Sequence, residues 1–184
     1  MIYRIYIDDT LVHRSDIPDE NYQLVGITLD VEMGKSPSLK FTIPPSHPKK
    51  NLLKNFLSRF TVKEDELVLA EGRLFDSRQD IYNQVEWQAE GSLSYLTDSY
   101  VPSVKVEETI KALFTRYVNE HNSRVEDYKK FTVGQITIDN ADTEKVKVGN
   151  DGYRYTADAI QNDLIDSYGG YLRTRYENGV RYLD

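Results

Sequence analysis

Several residue types that carry chemistry are missing or scarce in this sequence. Its 184 residues include no cysteine, one tryptophan and three histidines. The lack of cysteine excludes disulfides, thiolate metal sites and a cysteine nucleophile within these residues. No stretch approaches the roughly 18–20 apolar residues of a membrane-spanning helix. The amino terminus also lacks the basic start and long apolar stretch of a signal peptide, so we expect synthesis and folding in a cytoplasm.

Positive charge is scarce as well. The chain carries 23 basic and 30 acidic residues, a formal net charge of −7. Residues 1–98 have 11 basic and 16 acidic side chains, and residues 99–184 have 12 and 14. Binding to phosphate backbones needs a local excess of basic residues, so neither half predicts a sequence-specific nucleic-acid reader.

The composition is that of a folded, β-rich protein. Hydrophobic residues make up 39% of the chain and charged residues 29%, which is typical of globular domains. There are 14 tyrosines against 6 phenylalanines. Tyrosine suits half-buried strands and wet protein interfaces, so its abundance favours sheets with amphipathic faces.

Residues 1–98 show short strand patterns separated by turn residues. In the second strand Val25, Ile27, Leu29 and Val31 share one face. The predicted strands are 2–7, 24–31, 39–43, 60–63, 67–70, 71–76 and 82–90. Strands of this length and spacing predict a small barrel or sandwich.

One stretch in this half predicts a helix instead. Ser46 is a suitable N-cap and Pro48 a suitable first-turn residue. The apolar residues that follow at helical spacing are Leu52, Leu53, Phe56, Leu57 and Phe60. The basic residues in or beside them are Lys49, Lys50, Lys54 and Arg59. We interpret these as a solvated face, with a partner-facing patch as the alternative.

Residues 99–184 mix helices and strands. The helix pattern at 110–121 places one set of residues on a buried face: Ile110, Leu113, Phe114, Tyr117, Val118 and His121. A second amphipathic helix begins with Thr156 as its cap and stops at Gly169-Gly170. Its apolar positions are Ala157, Ile160, Leu164, Ile165 and Tyr168.

The rest of this half reads as strands. Residues 131–138 alternate as a strand, and Asn178-Gly179 predicts a type I′ hairpin turn between 171–176 and 180–183. The last strand is short, so we expect the chain to belong to a longer protein. The change in pattern predicts two domains, 1–98 and 99–184.

No catalytic, cofactor-binding or metal-ligating residue emerges from the sequence. His13, His47 and His121 lack metal-ligand spacing, and we predict structural roles for them, with a cationic His121 relieving the helix dipole. No serine-nucleophile motif is present, although a serine–histidine–aspartate site stays open. The acidic residues Asp139, Asp142, Glu144 and Asp151 predict a solvated loop, with calcium binding as the weaker alternative.

Two further features bear on the first domain. Trp87 shares a strand face with Val85 and Ala89, so we predict that it lies in the core, with a sugar-stacking platform as the alternative. Gly72 and Gly91 flank strands, and we predict that they serve backbone geometry.

Four stretches together resemble a known family. They are FTIPPSHP at 41–48, EGRLFD at 71–76 with EGSLSYLTDS at 90–99, LF at 113–114 with EHN at 120–122, and SYGGYL at 167–172 with RYENGVRYLD at 175–184. In this order they resemble the amino-terminal region of phage and prophage minor tail proteins from Gram-positive hosts, the prophage tail endopeptidase or tail-associated lysin family.

The resemblance implies a baseplate hub of a long-tailed phage. Such a hub is a homotrimer that closes the tail tube below the distal tail protein, and the tape-measure protein is a further potential partner. The implied fold is α+β and β-rich: a tail-tube-like β-barrel domain, incomplete without later strands, followed by a smaller α+β domain with two amphipathic helices. The resemblance implies that this second domain, 99–184, is inserted into the barrel. The implied location is the virion tail tip, after synthesis in the bacterial host cytoplasm.

The resemblance does not imply an enzyme in these residues. In this family peptidoglycan cleavage belongs to carboxy-terminal extensions, so the endopeptidase label is not carried onto residues 1–184. Two alternatives stay open, a peptidoglycan hydrolase and a carbohydrate-binding tail-tip adhesin. A hydrolase would clear cell walls, an adhesin would bind them without clearing, and a hub would do neither.

Overall fold

Two compact units make up the chain. The structure, a computed structural model, describes residues 1–184 apart from the side chains of Glu20 and Asn150. The units are Met1–Ser92 and Leu93–Asp184, whereas the predicted boundary lies between residues 98 and 99. The roles predicted for the two domains stay predictions.

The first unit is built on one antiparallel sheet of seven strands, curled into an open half-barrel. The strands are β1 (Tyr3–Ile7), β2 (Thr10–Arg14), β3 (Val25–Asp30), β4 (Ser38–Ile43), β5 (Arg59–Glu64), β6 (Leu67–Gln79) and β7 (Val85–Gly91). Their order across the sheet is β2-β1-β5-β6-β7-β4-β3. The predicted α+β, β-rich class is confirmed.

The core of this unit follows from strand alternation. Ile5 and Ile7 of β1, Phe41 of β4 and Phe60 of β5 are all nearly inaccessible to solvent. Trp87 of β7 pairs in register with Phe41 and is only 6% exposed. The prediction that Trp87 belongs to the core is confirmed, and the sugar-platform alternative is wrong because the indole face is covered.

The two strands β6 and β7 approach each other unusually closely where Gly72 pairs with Gly91. A Cβ atom on Gly72 would lie 1.9 Å from the carbonyl oxygen of Glu90. A Cβ atom on Gly91 would lie 2.6 Å from Cδ of Pro37. The prediction that these glycines serve backbone geometry is therefore confirmed.

The helix predicted after residue 46 is wrong. The structure has only a 3₁₀ turn at Lys50–Leu52, and residue 59 already starts β5. Phe56 has a positive φ of 61°, which ends any helix, and its N–H donates to the carbonyl of Leu74 in β6. Pairing with the sheet has overridden the helical spacing, and Leu57 is left exposed.

The apolar face predicted for the second strand is also not buried. Val25, Ile27 and Val31 are all exposed, and only Leu29 packs against the core. The physical reason is that β3 is an edge strand whose register shifts between Val25 and Thr28, so its alternation does not match that of the strands inside the sheet.

The second unit combines two helices with three small sheets. Helix α1 is Ile110–Asn122, and helix α2 runs over 156–168 as Thr156–Ile160, a π-helical turn at Gln161–Ile165, and Asp166–Tyr168. The strands are β8 (Tyr100–Val101), β9 (Val104–Thr109), β10 (Thr132–Val133), β11 (Lys145–Asn150), β12 (Arg154–Tyr155), β13 (Thr174–Glu177) and β14 (Val180–Leu183). The sheets are β8–β12, β9–β11 and β10-β14-β13. Further 3₁₀ turns are Glu20–Tyr22, Ser92–Thr97 and Asp127–Lys129.

Helix α1 behaves as its sequence predicts. All six residues predicted for its apolar face are buried. The hydroxyl of Thr109 caps the helix by accepting a hydrogen bond from the N–H of Ala112 at 3.2 Å. The hairpin β13–β14 is confirmed with its type I′ turn, whereas the strand predicted at 131–138 shortens to the two residues of β10.

Adding a side chain at Gly72 tests the close approach of β6 and β7. We expect Gly72→Ala to lower the free energy of unfolding by about 3 kcal/mol. The new methyl group would overlap backbone atoms of β7, which cannot rotate away as a side chain could. Urea unfolding followed by the fluorescence of Trp87 measures the change. Gly149→Ala is the control, since its Cβ would meet no atom within 4 Å. Equal midpoints for both variants would contradict the argument.

Candidate functional site

The three histidines are each buried, but they do not form one site. His13 lies in β2 and His47 in the segment after β4, both in the first unit, while His121 lies in the last turn of α1. Only His121 belongs to an arrangement that resembles catalytic chemistry.

His121 contacts a serine. The Ser99 Oγ atom lies 2.7 Å from His121 Nδ1, and His121 Nε2 lies 3.1 Å from the carbonyl oxygen of Lys129. Because a carbonyl only accepts, Nε2 carries the ring proton and Nδ1 accepts from the Ser99 hydroxyl. Ser99 Oγ in turn accepts a hydrogen bond from Thr156 Oγ1 at 2.7 Å.

A serine hydrogen-bonded to a histidine is the arrangement that activates a nucleophile. Here Ser99 and Thr156 are at most 1% exposed, and the group behind the imidazole is a carbonyl instead of a carboxylate. A substrate has no path to the hydroxyl in this conformation. The cluster instead joins the start of α2 to the end of α1.

Thr156 was predicted as a helix cap, and this is wrong. The residue at the cap position is Tyr155, which makes no side-chain cap hydrogen bond. Thr156 instead donates its backbone N–H to the carbonyl oxygen of Ser99 at 3.0 Å and its hydroxyl to Ser99 Oγ. No local pattern could have revealed this partner, which lies 57 residues earlier in the chain.

The predicted cationic role of His121 is also wrong. Burial lowers the pKa of His121, although the Lys129 carbonyl and Asp98 act in the opposite direction. The ring is therefore neutral at pH 7 and acts as a hydrogen-bond link.

A second, half-buried polar cluster links α1 to α2. The Asp163 carboxylate accepts from the Tyr117 hydroxyl at 2.5 Å and from Arg154 Nη1 at 2.9 Å and Nη2 at 2.5 Å. Burial, together with the hydrogen bond to Asp163, raises the pKa of Tyr117. The charges of Asp163 and Arg154 are thus paired with each other, which is a structural arrangement.

In the first unit His47 attaches a loop to a sheet edge. Its Nε2–H donates to the carbonyl oxygen of Val12 in β2 at 3.0 Å, and its Nδ1 accepts the N–H of Lys49 at 3.2 Å. His13 Nδ1 accepts the N–H of Leu24 at 3.3 Å. Burial lowers the pKa of both imidazoles. Both rings form hydrogen bonds with the protein's own backbone, which agrees with the predicted structural roles.

The acidic residues of the second unit lie in solvent. Asp139, Asp142, Glu144 and Asp151 are all exposed. Asp142 pairs with Lys111 at 3.0 Å, and Asp151 pairs with Lys105 at 3.2 Å. Within the described residues, histidine and acidic side chains form no group of three that could hold a metal ion. The predicted solvated loop is confirmed.

The second unit also contains a cavity of about 280 Å³ that the sequence did not predict. Its lining is mainly apolar and includes Ile110, Phe114, Leu164 and Leu172, with Asp184 among the polar groups. Although burial opposes it, hydrogen bonds from Arg175, Arg173 and the N–H of Gln135 lower the pKa of Asp184. The carboxylate is already paired, so the cavity offers little to orient a polar ligand.

Membrane insertion by a helix finds no support in the described part of the chain, where no helix is both long and apolar enough to span a bilayer.

Comparisons with known proteins identify the fold. No protein-family model and no curated protein matches the sequence. Among solved structures, the tail protein from Neisseria meningitidis MC58 is similar over 98% of this chain, with a TM-score of 0.65 and 13% identity. Prophage tail protein gp18 from Listeria monocytogenes EGD-e is similar over 100%, with a TM-score of 0.57 and 13% identity. The 43 kDa tail protein of prophage MuSo2 from Shewanella oneidensis is similar over 100%, with a TM-score of 0.54 and 10% identity.

The chain thus shares its fold with three phage and prophage tail proteins. The chain spans about half the length of these solved structures, since it covers 50%, 50% and 52% of them. At these identities the likeness shows the fold, and the descriptions of all three neighbours name tail proteins.

The buried histidines predict acid sensitivity. In the unfolded chain a histidine has a pKa near 6.5, whereas burial lowers it in the folded state. The unfolded state therefore binds more protons as the pH falls below about 6.5, and stability is lost there. We expect the free energy of unfolding to drop by up to about 1.4 kcal/mol per pH unit for each histidine between pH 6.5 and 5.5.

Urea unfolding at several pH values measures this dependence. His121→Asn is the comparison variant, because it removes one titrating group and should give a shallower slope whatever its absolute stability. A wild-type stability that is constant or rises between pH 6.5 and 5.5 would show that the imidazoles are not held neutral.

Proposed function

We propose that this chain is a structural component of a phage or prophage tail, and that it serves as the baseplate hub at the distal tip. The observation that supports this is the likeness of nearly the whole chain to three solved tail proteins. The four stretches that resemble the hub family cover both units of the chain. A hub connects the tail tube to the host-facing tip and opens to release DNA.

The surface chemistry is compatible with this role. Residues 1–98 carry a net negative charge, and acidic walls repel the phosphates of passing DNA instead of holding them. Exposed tyrosines such as Tyr82 and Tyr153 suit wet contacts between subunits. The proposed partners are other copies of the chain, in a homotrimer, together with the distal tail protein and the tape-measure protein.

We assign no catalytic role to residues 1–184. The nearest arrangement to an active site, Ser99 with His121, is closed to solvent and tied to backbone groups. In the proposal, any cell-wall hydrolase activity of a longer protein belongs to residues outside this sequence.

Gold-labelled antibody against the chain tests the proposal on induced phage particles viewed by electron microscopy. We expect the label to be confined to the distal tail tip, because a hub is present only there. Antibody absorbed beforehand with purified chain is the control and should leave the tip bare. Tails that stay unlabelled after mild loosening of the tip, or that are labelled along their length, would contradict the hub assignment.

A further inference from the structure

Two exposed apolar patches lie on the first unit. The first, here called the edge patch, follows β3 and the turn after it and exposes Val25, Ile27, Val31 and Met33, the last two by 65% and 72%. The second, here called the loop patch, lies between β4 and β5 and exposes Leu52, Phe56 and Leu57, the last two by 61% and 73%. Clusters of this kind mark interaction sites more often than single exposed apolar residues do.

The edge patch borders an unprotected strand. At the other edge of the sheet, the carbonyl oxygens of Leu11 and Val12 in β2 accept hydrogen bonds from Lys49 Nζ at 2.5 Å and His47 Nε2 at 3.0 Å. These side chains therefore satisfy two backbone carbonyl groups of β2. In β3, by contrast, five of the six residues are exposed. An exposed edge strand is a template for pairing with another chain.

In the loop patch, a strained backbone conformation at Phe56 holds an apolar side chain in solvent. Phe56 has φ 61°, which is rare for a bulky residue. The 2.7 Å hydrogen bond from its N–H to the carbonyl of Leu74 holds this conformation. Strain of this kind persists where the surrounding structure fixes it, and it is concentrated at functional sites. The exposed ring is thus held in place by the fold.

The two patches carry opposite charge. Residues 25–35 include Asp30, Glu32 and Lys35, a net charge of −1, and Lys35 pairs with Glu32 at 2.8 Å. Residues 49–59 include four basic residues and no acidic one. Asp30 and Lys54 are both exposed. Each patch would repel a copy of itself, whereas the edge patch and the loop patch are complementary in charge and similar in apolar character.

We propose that the edge patch of one copy of this chain docks on the loop patch of the next copy. The occupant is a second copy because the complementary charge and the matching apolar side chains are both present on this chain. Such a contact joins different surfaces of identical subunits, so it propagates head to tail and closes into a ring when the rotation allows. The number of copies in the ring rests on the proposed hub function. The two docking surfaces are inferred from the exposed residues of the first unit.

Disulfide trapping tests the contact directly, since the natural chain has no cysteine. Thr28→Cys places a thiol on exposed β3, and Asn55→Cys places one in the exposed loop, without removing the charged or apolar residues of either patch. On mixing the two variants under mild oxidation, we expect the mixed dimer to form about tenfold faster than either variant forms a dimer with itself.

Two controls separate docking from random collision. Glu66→Cys, whose native side chain is 91% exposed at a distant turn, replaces Asn55→Cys in the first. In the second, Lys54→Glu added to the loop variant should slow cross-linking about tenfold, and Asp30→Lys added to the edge variant should restore it. Circular dichroism checks that each variant is folded.

Two results would overturn the proposed surface. One is that Thr28→Cys cross-links to Asn55→Cys no faster than to Glu66→Cys. The other is that Asp30→Lys does not restore the cross-linking rate lost with Lys54→Glu. This failure is distinct from that of the hub function. Gold label at the tail tip would still support a hub whose copies meet elsewhere.

Discussion

An open sheet leaves two edge strands with unpaired backbone groups, and this constraint shapes the first unit. Seven strands curl into a half-barrel without closing, so β2 and β3 are edges. His47 and Lys49 cover β2 by donating hydrogen bonds to the carbonyl groups of Val12 and Leu11. In the other edge strand, β3, five of the six residues are exposed. In this account assembly with a second copy takes the place of that cover.

In the second unit, polar clusters hold the two helices together. Buried and half-buried polar groups form two clusters, around His121 and around Asp163, and the hydrogen bonds within them join the helices α1 and α2. Groups that form hydrogen bonds with one another in this way stabilise a particular packing. Under the proposed function, the surface of the chain supplies its contacts with other subunits.

Local patterns in the sequence predicted local structure well. The six buried positions of α1 and the type I′ turn at Asn178-Gly179 depend on residues close together in the chain, and both are confirmed. The segment around Phe56 was mispredicted because its pairing with Leu74 competes with helical spacing. The partnership of Ser99 with His121 and Thr156 could not be predicted, since such contacts join distant segments and have no signature in spacing.

A cryo-electron microscopy map of the distal tail tip of induced particles would test the central claim most directly. The account predicts the seven-stranded sheet of Met1–Ser92 in a threefold ring at the tip, with β3 of each copy against the 49–59 loop of its neighbour. A tip map that is fully explained by other proteins, or one that shows this fold outside the tip, would contradict the account.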